Sequence, residues 1–324
     1  MPDDKPIAPR IVDRSVAQGL DERSEVVAGL MESPARVAPR YFYDELGSAL
    51  YGAICRLPEY YPTRTEAALF RERRGEIVAA VGMRRQLVDL GAGDCAKALE
   101  WLPYLDPVRY VAVDIARGEI ERALSRMAPD FPAIEMVGLV ADFAHGLPLE
   151  GVIDGSPALF FYPGSSIGNF TPEEAVAFLA PVARECRARP GSGLLIGVDA
   201  KKDRAVLDAA YDDELGVTAA FNRNMLSHLN HRFGFDFDLT AFAHHGFYHE
   251  AMGRIEMHLE AMRGQTVRLD ADQVRHFVQG ERIHTENSYK YSAPEFESLL
   301  REAGFSAIRR WSAPRDAYFV FHAA

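Results

Sequence analysis

Cysteine is scarce in this chain: Cys55, Cys95 and Cys186 are the three in 324 residues, far apart and without a CxxC pair. Neither a disulfide framework nor a cysteine-rich zinc site is indicated, and a reducing cytoplasm is the expected compartment. Positive charge is also short. Thirty-six Lys and Arg face forty-seven Asp and Glu, a net charge of −11, which disfavours a nucleic-acid groove or an anionic membrane surface and leaves small molecules as the expected partners. No uncharged apolar run approaches the roughly 20 residues that span a bilayer, and the N-terminal MPDDKPIAPR has no apolar signal core, so a soluble, unexported protein is expected. Internal repeats and low-complexity tracts are absent. What the chain does have is 48% hydrophobic residues, enough for a large core in one domain or two intimately joined ones.

The stretch from Gln86 to Lys97, QLVDLGAGDCAK, organises the rest. Apolar Leu87, Val88 and Leu90 read as a strand, Gly91 and Gly93 as a tight turn, and the residues toward Leu99 and Trp101 as a helix start. Glycine permits the sharp turn and lets a ligand approach the backbone, while the helix start offers free N–H donors. Upstream, residues 1 to 40 read as a polar arm with a modest helical pattern through Ser24, Val27, Leu30 and Met31. An aromatic segment comes next, containing Tyr43, Tyr60 and Tyr61, and an amphipathic helix from about Thr65 to Val81 leads into the turn. These tyrosines read first as core and interface packing.

Downstream, a helix through Trp101 and Leu105 precedes a buried strand ending in Asp114, placed to accept hydrogen bonds from ribose hydroxyls. After a further helix, a third strand ends in Asp142 and Phe143, an acceptor and a flat ring suited to adenine, though a strand-ending Asp also caps turns. The fourth strand, ALFFY, feeds the GSSIGNF loop with Asn169, and a fifth ends near Asp199. From Lys201 to about Asn287 the βα rhythm is interrupted by helices and by alternating stretches, GRIEMHLEAM and QTVRLD, that read as antiparallel hairpin. A helix and two apolar runs then close the sheet with an antiparallel strand. The expected class is α/β: a Rossmann-like doubly wound sheet with an inserted α+β substrate-binding unit. Residues 62–200 and 289–324 are assigned to the sheet, and 10–61 and 201–288 to the substrate-binding unit.

Three chemistries share this scaffold. G-x-G-x-x-A, met by Gly91, Gly93 and Ala96, also suits an NAD-dependent dehydrogenase. Gly164 to Gly168 formally fits the G-x-S-x-G of a serine hydrolase with Ser166 as nucleophile, although no oxyanion loop of the HGGG type accompanies it. Asp89, the Asp142–Phe143 pair and the antiparallel closing strand favour an S-adenosylmethionine fold. His228, His231, His244, His245 and His249 complete no ligand set, so no metal is expected.

Long, compositionally unusual strings then carry a resemblance over nearly the whole chain. They are FYDELGS (Phe42 to Ser48), RLPEYYPTRTE (Arg56 to Glu66), GSSIGNF (Gly164 to Phe170), AYDDELGVTAAFNRNML (Ala210 to Leu226), FDFDLTAF (Phe235 to Phe242), RIEM (Arg254 to Met257) and HTENS (His284 to Ser288). In these the chain resembles the S-adenosylmethionine-dependent histidine Nα-methyltransferases of ergothioneine biosynthesis. The resemblance implies S-adenosyl-L-methionine bound by Gly91, Lys97, Asp114, Asp142 and Phe143. It implies free L-histidine held at its amino-acid end by Tyr60, Asn169 and Tyr211, with Tyr43 near the reacting amine. Tyr43 and Asn169 would orient that amine and help remove its proton. Glu286 and Ser288 would hydrogen-bond the imidazole, a spacing of two that shares one face of an extended segment. Another aromatic amino acid, such as a tryptophan, is the alternative substrate. A cytoplasmic monomer that binds neither nucleic acid nor membrane is expected.

Overall fold

The computed structural model describes residues 8–15, 22–143 and 146–324. In chain order the elements are β1 (Arg10–Asp13), α1 (Glu22–Met31), β2 (Ala35–Arg36), α2 (Glu45–Ile54), α3 (Tyr61–Val81), β3 (Gln86–Leu90), α4 (Ala96–Leu99), α5 (Leu102–Leu105), β4 (Arg109–Asp114), α6 (Arg117–Met127), β5 (Glu135–Val140), β6 (Ala158–Tyr162), α7 (Pro172–Ala188) and β7 (Gly193–Asp199). They continue with α8 (Arg204–Tyr211), α9 (Val217–Phe233), β8 (Phe242–His249), β9 (Arg254–Ala261), β10 (Gln265–Arg268), β11 (Val274–Phe277), β12 (Arg282–Tyr289), α10 (Ala293–Glu302), β13 (Ile308–Ser312) and β14 (Tyr318–Ala323).

Eight strands form one sheet in the order β1-β5-β4-β3-β6-β7-β14-β13. All pairings from β1 to β7 are parallel, and β14 joins β7 antiparallel. This is the Rossmann-like doubly wound arrangement: the chain runs outward from β3 through β4 and β5, then returns to β6 on the other side of β3. The carboxyl ends of β3 and β6 therefore flank the switch point where such sheets hold ligands. Parallel strands are buried on both faces, and the sequence obeys this. Val88, Leu90, Val111 and Val113 join one core with Phe178 and Leu179 of α7 and Phe296 of α10. Leu87, Tyr110 and Ala112 join another with Leu69 and Ile77 of α3 and Ile120 of α6. A third core gathers α1, α2, α8 and α9 against a four-stranded sheet of order β2-β12-β9-β8.

Several sequence expectations shift. The N-terminal arm contributes β1, which pairs with β5 as an edge strand of the large sheet; residues 1–7 and 16–21 of that arm lie outside the described residues. The long helix begins at Tyr61 rather than near Thr65, because Pro62 in the first turn lacks only an N–H that the helix would leave unpaired anyway. The helix expected through Trp101 is broken into α4 and α5, with Pro103 restarting the chain at the first turn of α5. The third strand stops at Val140, two residues before Asp142. GRIEMHLEAM and QTVRLD do not pair with each other: β9 lies between β8 and β12, and β10 pairs with β11. Strand alternation identified these segments as β structure without specifying partners, because the period of two is common to every pairing.

Gly197, in the middle of β7, shows how tightly the large sheet is filled. A Cβ there would fall 2.1 Å from Oε1 of Glu66 and 2.7 Å from the Tyr318 hydroxyl. Both are buried groups with no room to retreat. Gly197→Ala is expected to lower stability by about 2–4 kcal/mol through overpacking and a broken buried hydrogen bond, measured by urea unfolding.

Candidate active site

The glycine turn after β3 is built on positive backbone angles, φ +69° at Gly91 and +51° at Gly93. A Cβ on Gly91 would press to 3.4 Å from the Phe143 ring, so the turn and the ring after β5 share one crevice. Asp114, at the end of β4, accepts from the Gly93 N–H at 2.9 Å and the Ala116 N–H at 3.0 Å. A carboxylate has about four acceptor sites, so two backbone bonds orient it and leave capacity for a pair of hydroxyls. Asp142 accepts from Arg40 at 3.3 Å. That links the segment after β5 to the segment carrying Tyr43. Beneath the turn, Asp89 is buried, accepts from Tyr110 at 2.8 Å, and is pushed up to about 7, chiefly by desolvation.

Lys97 reaches across the crevice to Glu66 of α3 at 2.7 Å. The other oxygen of Glu66 accepts from the Gly164 N–H at 2.6 Å and the Tyr318 hydroxyl at 2.7 Å. Gly164 has φ +87°, and a Cβ there would lie 2.7 Å from the Lys97 ammonium. The turn after β3 and the loop after β6 are thus clamped to one buried carboxylate, and Glu66 is a site residue that no spacing in the sequence singled out.

The loop after β6 opens into a cavity. Tyr43, Tyr60, Asn169, Tyr211, Glu286 and Ser288 all line it; the five residues expected at the cofactor do not, and lie around the neighbouring turn. The mouth is aromatic. Tyr43 meets Tyr51 and Phe221 edge-on at 5.8 Å each, and Tyr51 meets Tyr60 at 6.4 Å. Desolvation, and after it the Glu286 carboxylate, push the Tyr43 hydroxyl above the ordinary tyrosine range. With 42% of Tyr43 exposed against 9% of Tyr60, burial counts for less at Tyr43, but both effects act in the same direction.

The polar end is set by β12. Its register against β9 slips between His284 and Glu286, leaving Thr285 as a bulge whose hydroxyl donates to Met257 O at 3.0 Å. The extra residue reverses which face later side chains occupy. Glu286 and Ser288 line the cavity with Met257, while His284 pairs with Asn287 at 3.0 Å. Glu286 is buried, hydrogen-bonded to Asn169, and raised to about 7 by desolvation against the pull of Lys290 and Asn169.

Lys290 continues the same face two residues beyond Ser288 and was missed by the sequence reading, although extending the alternation from Glu286 through Ser288 finds it. It is 1% exposed and donates to the Tyr211 hydroxyl at 2.9 Å and to Ser288 Oγ at 2.9 Å. It also pairs with Asp199 at 2.9 Å. Asp199 further accepts from Tyr61 and Lys202, each at 2.6 Å. Burial pushes the Asp199 carboxyl up, but the Lys290 and Lys202 ammoniums outweigh it and hold the group below its ordinary value.

Asp199 is thus engaged by lysines, and no histidine lines the cavity among the described residues, so Ser166 has no triad. Of the histidines considered for a metal, His244 bonds Asn222 and Tyr211 O at 2.8 and 2.9 Å, while His245 turns to Glu260 at 3.4 Å. Glu256, His258 and His284, none of them expected as ligands from the sequence, place one donor atom each within 4.8 Å of one another. They sit on the face of the small sheet opposite Met257. Both oxygens of Glu256 are taken there, by Arg254 at 2.6 Å and by His258 at 2.9 Å.

A glycine turn, a carboxylate at the end of the neighbouring strand and an adjoining aromatic cavity on a Rossmann-like sheet are the features of a nucleotide-cofactor enzyme. The chain belongs to the S-adenosylmethionine-dependent, histidine-specific methyltransferase family, whose model matches residues 22–324. It is similar to a histidine N-alpha-methyltransferase of Mycolicibacterium smegmatis, 39% identical over 93% of both chains. A protein of the same name from Mycobacterium tuberculosis is 38% identical over 90% of both. The N-methyltransferase fsqC of Aspergillus fumigatus is 27% identical over 90% of this chain and 81% of its own. The enzyme uses S-adenosylmethionine, and the dehydrogenase and hydrolase readings are set aside. Among the described residues no helix is long and apolar enough to cross a membrane.

Glu286 makes a measurable demand on the fold. Its carboxyl is raised from 4.5 to about 7 in the folded state, so the folded protein holds a proton that the unfolded chain has released between those values, and stability falls as pH rises through that window. In ligand-free protein, Glu286→Gln is expected to gain up to about 3 kcal/mol on wild type between pH 4 and pH 8, read from urea unfolding at both pH values. Asp89 titrates in both proteins and cancels in the difference.

Proposed function

We propose that the enzyme transfers methyl groups to the α-amino nitrogen of free L-histidine, as many as three, giving hercynine on the way to ergothioneine. The observation that carries this is one cavity lined by Tyr60, Asn169 and Tyr211 together with Glu286 and Ser288, beside the cofactor crevice. The first three supply hydroxyl and amide groups for a carboxylate and an amine; the last two supply an acidic and a hydroxyl partner for the two nitrogens of one imidazole. We assign cofactor binding to Gly91, Lys97, Asp114, Asp142 and Phe143. In our division, 62–200 and 289–324 hold the cofactor, and 10–61 and 201–288 hold the substrate, with β1 lent to the large sheet. A cytoplasmic monomer fits the acidic composition.

When bound, S-adenosylmethionine supplies an electrophilic methyl carbon on a positively charged sulfur. The chain's own task is positional: an α-amino group titrates near 8 at a peptide terminus and higher in a free amino acid, so at neutral pH it must shed a proton and present a lone pair along one line. Asn169, held by Glu286, and Tyr43, a phenol kept protonated, orient that nitrogen and pass its proton toward water. As methyls accumulate, the nitrogen loses donors and becomes a fixed cation, which the rings of Tyr43 and Tyr60 stabilise by about 0.5–2 kcal/mol.

Incubation with S-adenosylmethionine and a panel of free amino acids, read by mass, is expected to add up to three methyls to histidine. No histidine product, or preference for tryptophan or its derivatives, overturns the substrate assignment. Glu286→Ala is expected to raise the histidine KM at least tenfold with little change in cofactor affinity, and Asp114→Ala to do the reverse, each loss reflecting a charge-assisted hydrogen bond of about 1.5–3 kcal/mol.

A further inference from the structure

Lys290 has three protons, and each has an acceptor at 2.9 Å: Asp199, the Tyr211 hydroxyl and Ser288 Oγ. An ammonium accepts nothing, so both hydroxyl oxygens are committed to receiving from it. The two hydroxyls also bond each other, Tyr211 to Ser288, at 2.9 Å. That bond consumes one of their two protons. The pair can therefore offer a ligand one O–H and one remaining lone pair, never two donors. Lys290 stands between the hydroxyls and Asp199, so neither proton can be lost inward to that carboxylate. Burial acts against the ammonium, but Asp199 and Tyr211 outweigh it and its pKa lies above the ordinary lysine value, so the three donors persist.

Resting on the histidine reading above, the direction can be assigned. A substrate carboxylate beside Tyr211 needs a donor, so Tyr211 turns its proton outward and Ser288 must donate to Tyr211. Ser288 is then left with a lone pair facing the imidazole. We propose that Lys290 is a positioning residue that, by donating to both hydroxyls, closes their inward side, so that with a substrate carboxylate on Tyr211 the Ser288 proton goes to Tyr211 and the site accepts an imidazole only with an N–H toward Ser288. The second ring nitrogen and Glu286 share the remaining proton. The carboxylate end and the ring end of the substrate are thereby coupled through one hydrogen bond, and a ring lacking N–H on the Ser288 side is refused.

The test is nitrogen NMR of histidine labelled with ¹⁵N in the ring, bound to full-length enzyme with S-adenosylhomocysteine so that no turnover occurs. In wild type one ring nitrogen is expected to show a fixed, protonated shift. In Tyr211→Phe the Ser288 proton is released, and in Lys290→Met no donor closes the inward side of the two hydroxyls. In each, histidine affinity is expected to fall about tenfold or more, the loss of a hydrogen bond to a charged group. Its ring shifts should move toward the tautomer-averaged values of free histidine, while S-adenosylhomocysteine affinity stays within about twofold. A purely structural role for Lys290 would weaken binding without moving the shifts. Averaged shifts in wild type, or wild-type shifts retained in both variants, overturn the proposal. If Lys290→Met fails to bind S-adenosylhomocysteine, Tyr211→Phe, which removes one oxygen from otherwise unchanged packing, decides alone. Absence of histidine binding to wild type would instead refute the substrate reading.

Discussion

Glu66 is the carboxylate on which both halves of the site depend. It is 2% exposed and joins α3 to Lys97 of the glycine turn, Gly164 of the loop after β6, and Tyr318 of β14. A buried carboxylate is costly unless its oxygens are filled, and removing a partner leaves the charge uncompensated. The cost is useful here because it is satisfied only when turn, loop and closing strand are in register together. The crevice at the glycine turn and the cavity lined by Glu286 are consequently fixed to each other, as an in-line transfer between two ligands requires.

The second constraint is the bulge at Thr285. Strict alternation from Ile283, which is buried in the third core, would carry Asn287 and Tyr289 to the inner face and turn Glu286 and Ser288 outward. One extra residue exchanges the two sets, so that Glu286, Ser288 and Lys290 face the cavity while His284 and Asn287 pair behind them. What the bulge brings in is a carboxyl raised to about 7 and a lysine fully removed from water. Asp199 from the end of β7 sustains the lysine, while desolvation raises the carboxyl against the pull of Lys290 and of Asn169 from the loop after β6. The small sheet supplies Glu286, Ser288 and Lys290 to the cavity, and the large sheet and its loops supply the Asn169 and Asp199 groups that bond them.

Local periodicity and backbone freedom were enough to assign, from the residues alone, the main element types of the large sheet, the glycine turn and the strand-end position of Asp114. Unusual strings along the chain also carried the family, and with it Tyr60, Asn169, Tyr211, Glu286 and Ser288, which now line one cavity. Strand partners in the inserted sheet, the place of β1 and the break between α4 and α5 were not legible, since a period of two names no neighbour and proline marks an interruption without specifying the structure beyond it. The roles of Glu66 and Lys290 emerged only once the chain was folded. Their partners stand 31 and 98 residues away for Glu66, and 91 and 79 for Lys290. Whether a buried charge is a flaw or a clamp depends on which distant groups meet it, and that is settled by packing rather than by any spacing along the chain.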